Sequence, residues 1–262
     1  MKKILLLFFP LIIFGQTNKS TCETLFKINE IIQEKHYKPK ALNDSLSKYV
    51  FTAFLSELDK NNKLFLVNEI ENLKKHKYKI DDYIETKDCQ FLKDFYKVYS
   101  TAIVRNNKIY NELEKELISF ESTETILFSR EPFPYVSNEI ELQKRIKKTT
   151  IFQILKNIAE TSKNKDSLIQ NFSKLSIQSK KKVFELYKCK TAELNYSELE
   201  FNSKFLNVFC SYFDPHTSYF SKEDDDKELI DKVPLEDGKL TFSLESNEST
   251  IPSSRNPSVG FF

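Results

Sequence analysis

Residues 89–117 read CQFLKDFYKVYSTAIVRNNKIYNELEKEL. Phe91, Phe95, Val98, Ala102, Ile109 and Leu113 recur at helical spacing, and no Gly or Pro interrupts them. The segment predicts one long amphipathic helix with that stripe buried. Upstream, Leu25, Ile28 and Ile32 mark a helix over Thr21 to Tyr37, which Pro39 ends. Asn43-Asp44-Ser45 supplies capping residues for a helix carrying Leu46, Val50, Phe54 and Leu58 at i, i+4 spacing. Asp59 to Asn62 reads as a turn, and a shorter helix follows near Asn68 to His76. Downstream, Phe120 to Val136 is irregular, with Pro132 and Pro134 inside it. Asn138 to Glu141 has the capping-box spacing and starts a helix through Ile151, Ile154, Leu155 and Ile158. A short helix is expected over Asn164 to Lys174. One very long helix is expected from Gln178 to Phe213, stopped by Asp214-Pro215.

The glycine distribution agrees with this all-α expectation. The chain of 262 residues has three, Gly15, Gly238 and Gly260, so none lies between Gln16 and Asp237. Phosphate-cradling loops and nucleophile elbows need Gly where the backbone reaches positive φ or approaches a ligand closely. No such motif is present. With 23 Phe and 12 Tyr among its apolar residues the chain can build a core, which argues against disorder.

Lys2-Lys3 followed by Ile4 to Phe14 and Gly15-Gln16-Thr17 has the charged, apolar and small-residue parts of a secretory signal. The apolar run is far shorter than the ~20 residues of a membrane-spanning helix. We expect residues 1–15 to be a signal peptide, Gln16 to begin the mature chain, and the protein to be exported to the periplasm. No membrane span is expected. Cys22 lies too deep for lipid anchoring at the cleavage point. Without Lys2 and Lys3 the 40 Lys plus Arg fall to 38, equal to the 38 Asp plus Glu. That neutrality disfavours nucleic-acid binding. Cys189 and Cys210, on one continuous helix, would be about 30 Å apart, beyond disulfide reach. Cys22 with Cys89 is the remaining simple pair. No CxxC occurs and three scattered His give no zinc spacing, so no metal or cofactor is expected.

Asp214-Pro215-His216-Thr217-Ser218-Tyr219 is the densest polar cluster. Asp, His and Ser within five residues invite a triad, but triad members converge from separate elements. Consecutive residues at a helix stop instead suit side-chain bonds that hold a turn. His36 reads as a helix-end residue, and His76, between Lys75 and Lys77, as solvated. The basic runs Lys144 to Lys148 and Lys180 to Lys182 read as ordinary wet helix faces. Asp224 to Asp226 lacks the alternation and glycine of an EF-hand. After Pro234 the composition shifts, with a strand pattern at Lys239 to Leu244. A boundary near Lys232 therefore divides a helical domain, 16–232, from a short irregular or β tail, 233–262.

His36-Tyr37-Lys38-Pro39 with Asn43-Asp44-Ser45-Leu46-Ser47 resembles the opening of the N-terminal helical domain of tail-specific (C-terminal processing) proteases. Leu58-Asp59-Lys60-Asn61 with Leu64-Phe65-Leu66 does too. Tyr212 to Ser221 is similar to the family's DPHTSYFSP signature, here Asp214, Pro215, His216, Thr217, Ser218, Tyr219 and Phe220. The resemblance spans roughly Cys22 to Asp226. It implies a part of periplasmic serine endopeptidases that recognise apolar C-terminal tails through a PDZ domain and cleave with a Ser nucleophile and a Lys base. In that family the helical domain is a wall of a bowl-shaped body and a docking surface for adaptor lipoproteins. The resemblance therefore implies protein substrates or an adaptor lipoprotein as partners. The chain stops at Phe262, about where a PDZ domain would begin, so no catalytic residue is assigned. The expectation is a truncated, non-catalytic scaffold and docking domain. The alternative is a stand-alone exported helical binding module.

Overall fold

The computed structural model describes residues 16–120, 125–126, 133–220, 235–236, 239–240 and 259–260. The helices in order are α1 (Gln16–Lys35), α2 (Asp44–Leu58), α3 (Val67–Leu73), α4 (Ile80–Thr86), α5 (Gln90–Lys115), α6 (Glu139–Thr161), α7 (Lys165–Gln170), α8 (Phe172–Leu194) and α9 (Glu198–Phe213). A 3-10 turn, Lys74–His76, extends α3. The fold is all-α, as expected. The strands are two residues each: β1 (Ser218–Tyr219) pairs antiparallel with β4 (Val259–Gly260), and β2 (Leu235–Glu236) with β3 (Lys239–Leu240). β3 falls where the tail showed a strand pattern. Among the described residues no helix is long and apolar enough to cross a membrane. The expected signal segment and the boundary near Lys232 lie outside the described residues, as does much of the irregular stretch after Phe120.

Capping chemistry sets the helix starts. Asn43 Oδ1 accepts from the Ser45 N–H at 3.0 Å, Asn138 Oδ1 from the Glu141 N–H at 3.0 Å, and Asn164 Oδ1 from the Ser167 N–H at 3.1 Å. Each satisfies an amide that the helix itself leaves free. The Glu141 carboxylate reaches back to the Ser137 N–H at 3.0 Å, one residue before the expected capping-box position. α4 was not expected, because seven residues carry little periodicity. It is held by Ser47 of α2, whose Oγ accepts from the Asp81 N–H at 2.8 Å and donates to the Asp81 carboxylate.

The single helix expected over Gln178 to Phe213 is two. The chain turns at Asn195, Tyr196 and Ser197, where Ser197 and Glu200 form a capping box. The Glu200 carboxylate accepts from the Ser197 N–H at 2.8 Å. Tyr99 of α5 holds the break, donating its hydroxyl to the Leu194 carbonyl and stacking on Tyr196 at 5.8 Å. The short helix expected over Asn164 to Lys174 also ends early, and Lys174 belongs to α8.

Among the described residues the buried side chains form three regions, the smallest being Ile154, Ile158 and Val183 between α6 and α8, and this turn separates the two larger ones. The larger joins α1, α2, α4, the first half of α5 and α9 through Leu25, Ile28, Phe54, Phe91, Phe205 and Phe209. Phe54 meets Phe201 and Phe205 edge-on at 5.0 and 5.2 Å, the arrangement ring quadrupoles favour. The second region joins the far half of α5 to α6 and α8 through Ile109, Leu113, Leu142, Ile146 and Phe184. The α5 stripe runs Phe91, Phe95, Tyr99, Ala102, Ile109 and Leu113, and Val98 is only half-buried. A Cys22–Cys89 disulfide, Cα atoms 6.0 Å apart, ties α1 to the start of α5. Cys189 and Cys210 are free.

Candidate functional site

The signature residues meet where α1 and α9 end. The His36 N–H still donates to the Ile32 carbonyl at 3.0 Å, closing the last turn of α1. The His36 side chain is buried, and its Nδ1 accepts from the Lys38 N–H at 3.2 Å. Tyr37 is 82% exposed, and its hydroxyl donates to Asp214 Oδ2 at 3.4 Å. The other carboxylate oxygen of Asp214 accepts from the His216 N–H at 2.7 Å. The Asp214 carbonyl accepts from the Thr217 N–H at 3.1 Å. Pro215 thus lies in a turn that the aspartate holds from both its side chain and its backbone. Thr217 is buried beneath it. The chain then extends through Ser218 and Tyr219 to Phe220, and Asn207 of α9 accepts the Tyr219 N–H at 2.8 Å. Lys40 donates to the Tyr212 carbonyl and lies over that ring at 4.9 Å. Among the described residues no hydrogen bond joins the Ser218 hydroxyl to the His216 ring.

The second family-like segment forms a loop held by charge. Both carboxylate oxygens of Asp59 accept backbone N–H bonds, from Lys63 at 2.8 Å, Leu64 at 2.9 Å and Phe65 at 3.0 Å. Burial pushes the Asp59 carboxyl above its ordinary pKa, while those three bonds and the Lys63 charge pull it back. Asn62 takes a left-handed φ of 52° and its amide donates to the Phe133 carbonyl at 2.7 Å. Arg105, reaching in from α5, grips Glu69 through two bonds of 2.5 and 2.9 Å and the Leu64 carbonyl at 2.7 Å. Glu69 in turn accepts the Leu66 N–H at 2.8 Å. From α6, Arg145 donates to the Asn62 and Pro134 carbonyls at 3.1 and 2.7 Å.

Arg105 escaped the sequence reading although a signal was present. It occupies a stripe position between Ala102 and Ile109, where an apolar residue would be expected. Asn207 and Arg145 carried no comparable sign, because their partners are remote backbone groups.

His76 corrects the expectation of a solvated side chain. It is buried, with Nδ1 3.0 Å from the Tyr83 hydroxyl and Nε2 3.1 Å from Asp94 Oδ2. A carboxylate only accepts, so Nε2 carries the hydrogen and Nδ1 accepts from Tyr83. Lys75 reaches the same Asp94 oxygen at 2.6 Å, so the helix neighbour rather than the imidazole meets solvent. Burial lowers the His76 pKa, and the Asp94 hydrogen bond opposes this.

Among the described residues no cluster of three His, Cys, Asp or Glu side chains is placed to hold a metal ion. A groove of about 390 Å³ runs beside the signature turn, lined by Glu57, Lys204, Asn207, Ser211, Thr217 and Ser218. The Lys204–Glu57 ion pair, 3.3 Å, spans one side of it. The arrangement offers polar recognition and rigid junctions rather than an assembled acid, base and nucleophile.

No curated protein matches the chain. The family described as Tail specific protease N-terminal domain matches residues 28–223, from within α1 to just past the signature turn. That range takes in both charge-held junctions, and the chain belongs to the tail-specific protease N-terminal domain family.

Proposed function

We propose that this chain is the scaffold and docking domain of an exported C-terminal processing serine endopeptidase, presenting protein substrates or an adaptor lipoprotein without performing the cleavage itself. The observation that carries the reading is the family match over residues 28–223, with its signature built as a junction between α1, α9 and the outgoing chain. The proposed organisation is a signal peptide at 1–15, the helical domain at 16–232 and a linker or PDZ beginning at 233–262. Two features support export to the periplasm: the charged and apolar opening of the sequence, and the Cys22–Cys89 disulfide, which suits an oxidising compartment.

The test is calorimetric titration of the purified chain with a protein whose C-terminal tail is apolar, with mass spectrometry of the same mixture. Saturable binding with the tail left intact is expected. Tail cleavage that survives a mock-purification control would overturn the non-catalytic reading, and absence of binding would overturn substrate docking. N-terminal sequencing of the exported protein should begin at Gln16.

A further inference from the structure

The groove of about 390 Å³ beside the signature turn carries hydrogen-bonding groups that the fold does not use. Thr217 lines it and is 3% exposed, yet its hydroxyl has no hydrogen-bond partner among the described residues. A buried hydroxyl left without a partner is costly and uncommon. The half-buried Ser218 beside it also keeps its hydroxyl unspent among those residues. The other neutral polar groups of the wall are committed. Asn207 accepts the Tyr219 N–H at 2.8 Å and donates to the Ser203 carbonyl at 3.3 Å. Ser211 donates to the Val208 carbonyl at 2.8 Å and meets the Tyr49 hydroxyl at 3.2 Å.

The wall also carries Lys204 and Glu57, joined at 3.3 Å, longer than the about 2.7–2.9 Å of a tight charge-assisted bond. The Tyr196 ring, 4.6 Å from the ammonium, holds Lys204 in place. Both partners keep spare capacity, because an ammonium has three hydrogens and a carboxylate several lone pairs. A donor and an acceptor this close match two neighbouring hydroxyls of a sugar ring, one donating to Glu57 and the other accepting from Lys204. Val208 and Pro215 add apolar surface for the C–H face of such a ring. The two charges cancel, which favours a neutral ligand over an ion. A ligand that displaces water from Thr217 and Ser218 must offer groups that both donate and accept, as sugar hydroxyls do.

We propose that this groove is a saccharide site, in which the Thr217 and Ser218 hydroxyls and the Glu57–Lys204 pair bond the hydroxyls of a neutral sugar. Its volume falls within the roughly 300–1,000 Å³ of small-molecule sites. The site goes beyond the protein-docking role and does not depend on it.

The experiment is an NMR titration of the isotope-labelled full chain with maltose and, separately, with cellobiose. Saturable shifts centred on the Thr217, Ser218 and Lys204 amides are expected with at least one of them. Added salt should leave the affinity unchanged, because the ligand carries no charge. Thr217→Val removes only the unpartnered hydroxyl, so binding should weaken about tenfold while the urea midpoint holds or rises. Glu57→Gln, at an exposed position, should also weaken binding, with helical circular dichroism unchanged. Absence of saturable shifts with both sugars would overturn the site. So would undiminished affinity in both variants, or a lowered urea midpoint in Thr217→Val, which would place its hydroxyl in an internal bond. Stronger shifts from inorganic phosphate or from a neutral Gly-Ser peptide would also overturn it. Protein docking is read separately by the calorimetric titration above and stands or falls there.

Discussion

Arg105 is 8% exposed on a stripe that otherwise carries aliphatic and aromatic side chains. Its bidentate grip on Glu69 and its bond to Leu64 make it the post to which the loop after α2 is tied. Arg105→Met would leave the partly buried Glu69 carboxylate without its cation, a loss expected to be about 3 kcal/mol, read as a lower urea midpoint. His76 makes a pH-dependent contribution. Its folded pKa is depressed below the ordinary 6.5. As pH falls through about 6.5 the unfolded chain gains a proton before the folded one does. Stability from this residue is thus complete above 6.5 and declines toward the depressed folded value. His76→Gln should flatten the fall in urea midpoint between about pH 7.5 and 5.5. A fall as steep as in the parent protein would assign the pH dependence to other groups. At this scale the sequence is informative where the partner is near. Asn43 and Asn138 could be named as caps because each bonds an amide within three residues. His76 could not, because three neighbouring lysines suggested water, and only the approach of Tyr83 and Asp94 excludes it.

Among the elements, the α8–α9 break shows how periodicity can mislead. Apolar residues continue at helical spacing across 178–213, and no Pro or Gly interrupts them. The Ser197-x-x-Glu200 pattern was in the sequence, but it competed with an unbroken hydrophobic repeat. The turn prevails because the two halves bury against different partners: α8 packs on α6, while α9 packs on α2 and α1. A straight helix would serve only one of them. Ser197→Ala removes the cap that accepts the Glu200 N–H and should cost about 1 kcal/mol, measured by thermal or urea unfolding. Faster amide exchange confined to the first turn of α9 would locate the effect. α4 illustrates the opposite case, a helix too short to announce itself and held instead by Ser47 and Asp81.

For the whole molecule, α5 is the beam common to the two larger buried regions, and the disulfide closes a long loop onto its first residues. Cys22 and Cys89 are 67 residues apart, so the chain-entropy argument assigns the cross-link about 4 kcal/mol of stability through the unfolded state. Reduction, or the paired Cys22→Ser and Cys89→Ser substitutions, should lower the urea midpoint accordingly while leaving helical circular dichroism intact below it. An unchanged midpoint would mean that packing of α1 on α9 alone holds the N-terminal helix. By itself the sequence determined the helical class, most helix starts, the helix stop at Asp214-Pro215 and the family resemblance. Each depends on spacing or side-chain chemistry within a few residues, or on motifs read in order. Only the tertiary structure decided that α8 and α9 part company, that Arg105 pairs with Glu69, that His76 is buried, and that Tyr37 and Lys40 meet Asp214 and Tyr212. Those outcomes depend on which faces pack together. Burial and desolvation are set by neighbours brought in from elsewhere in the chain.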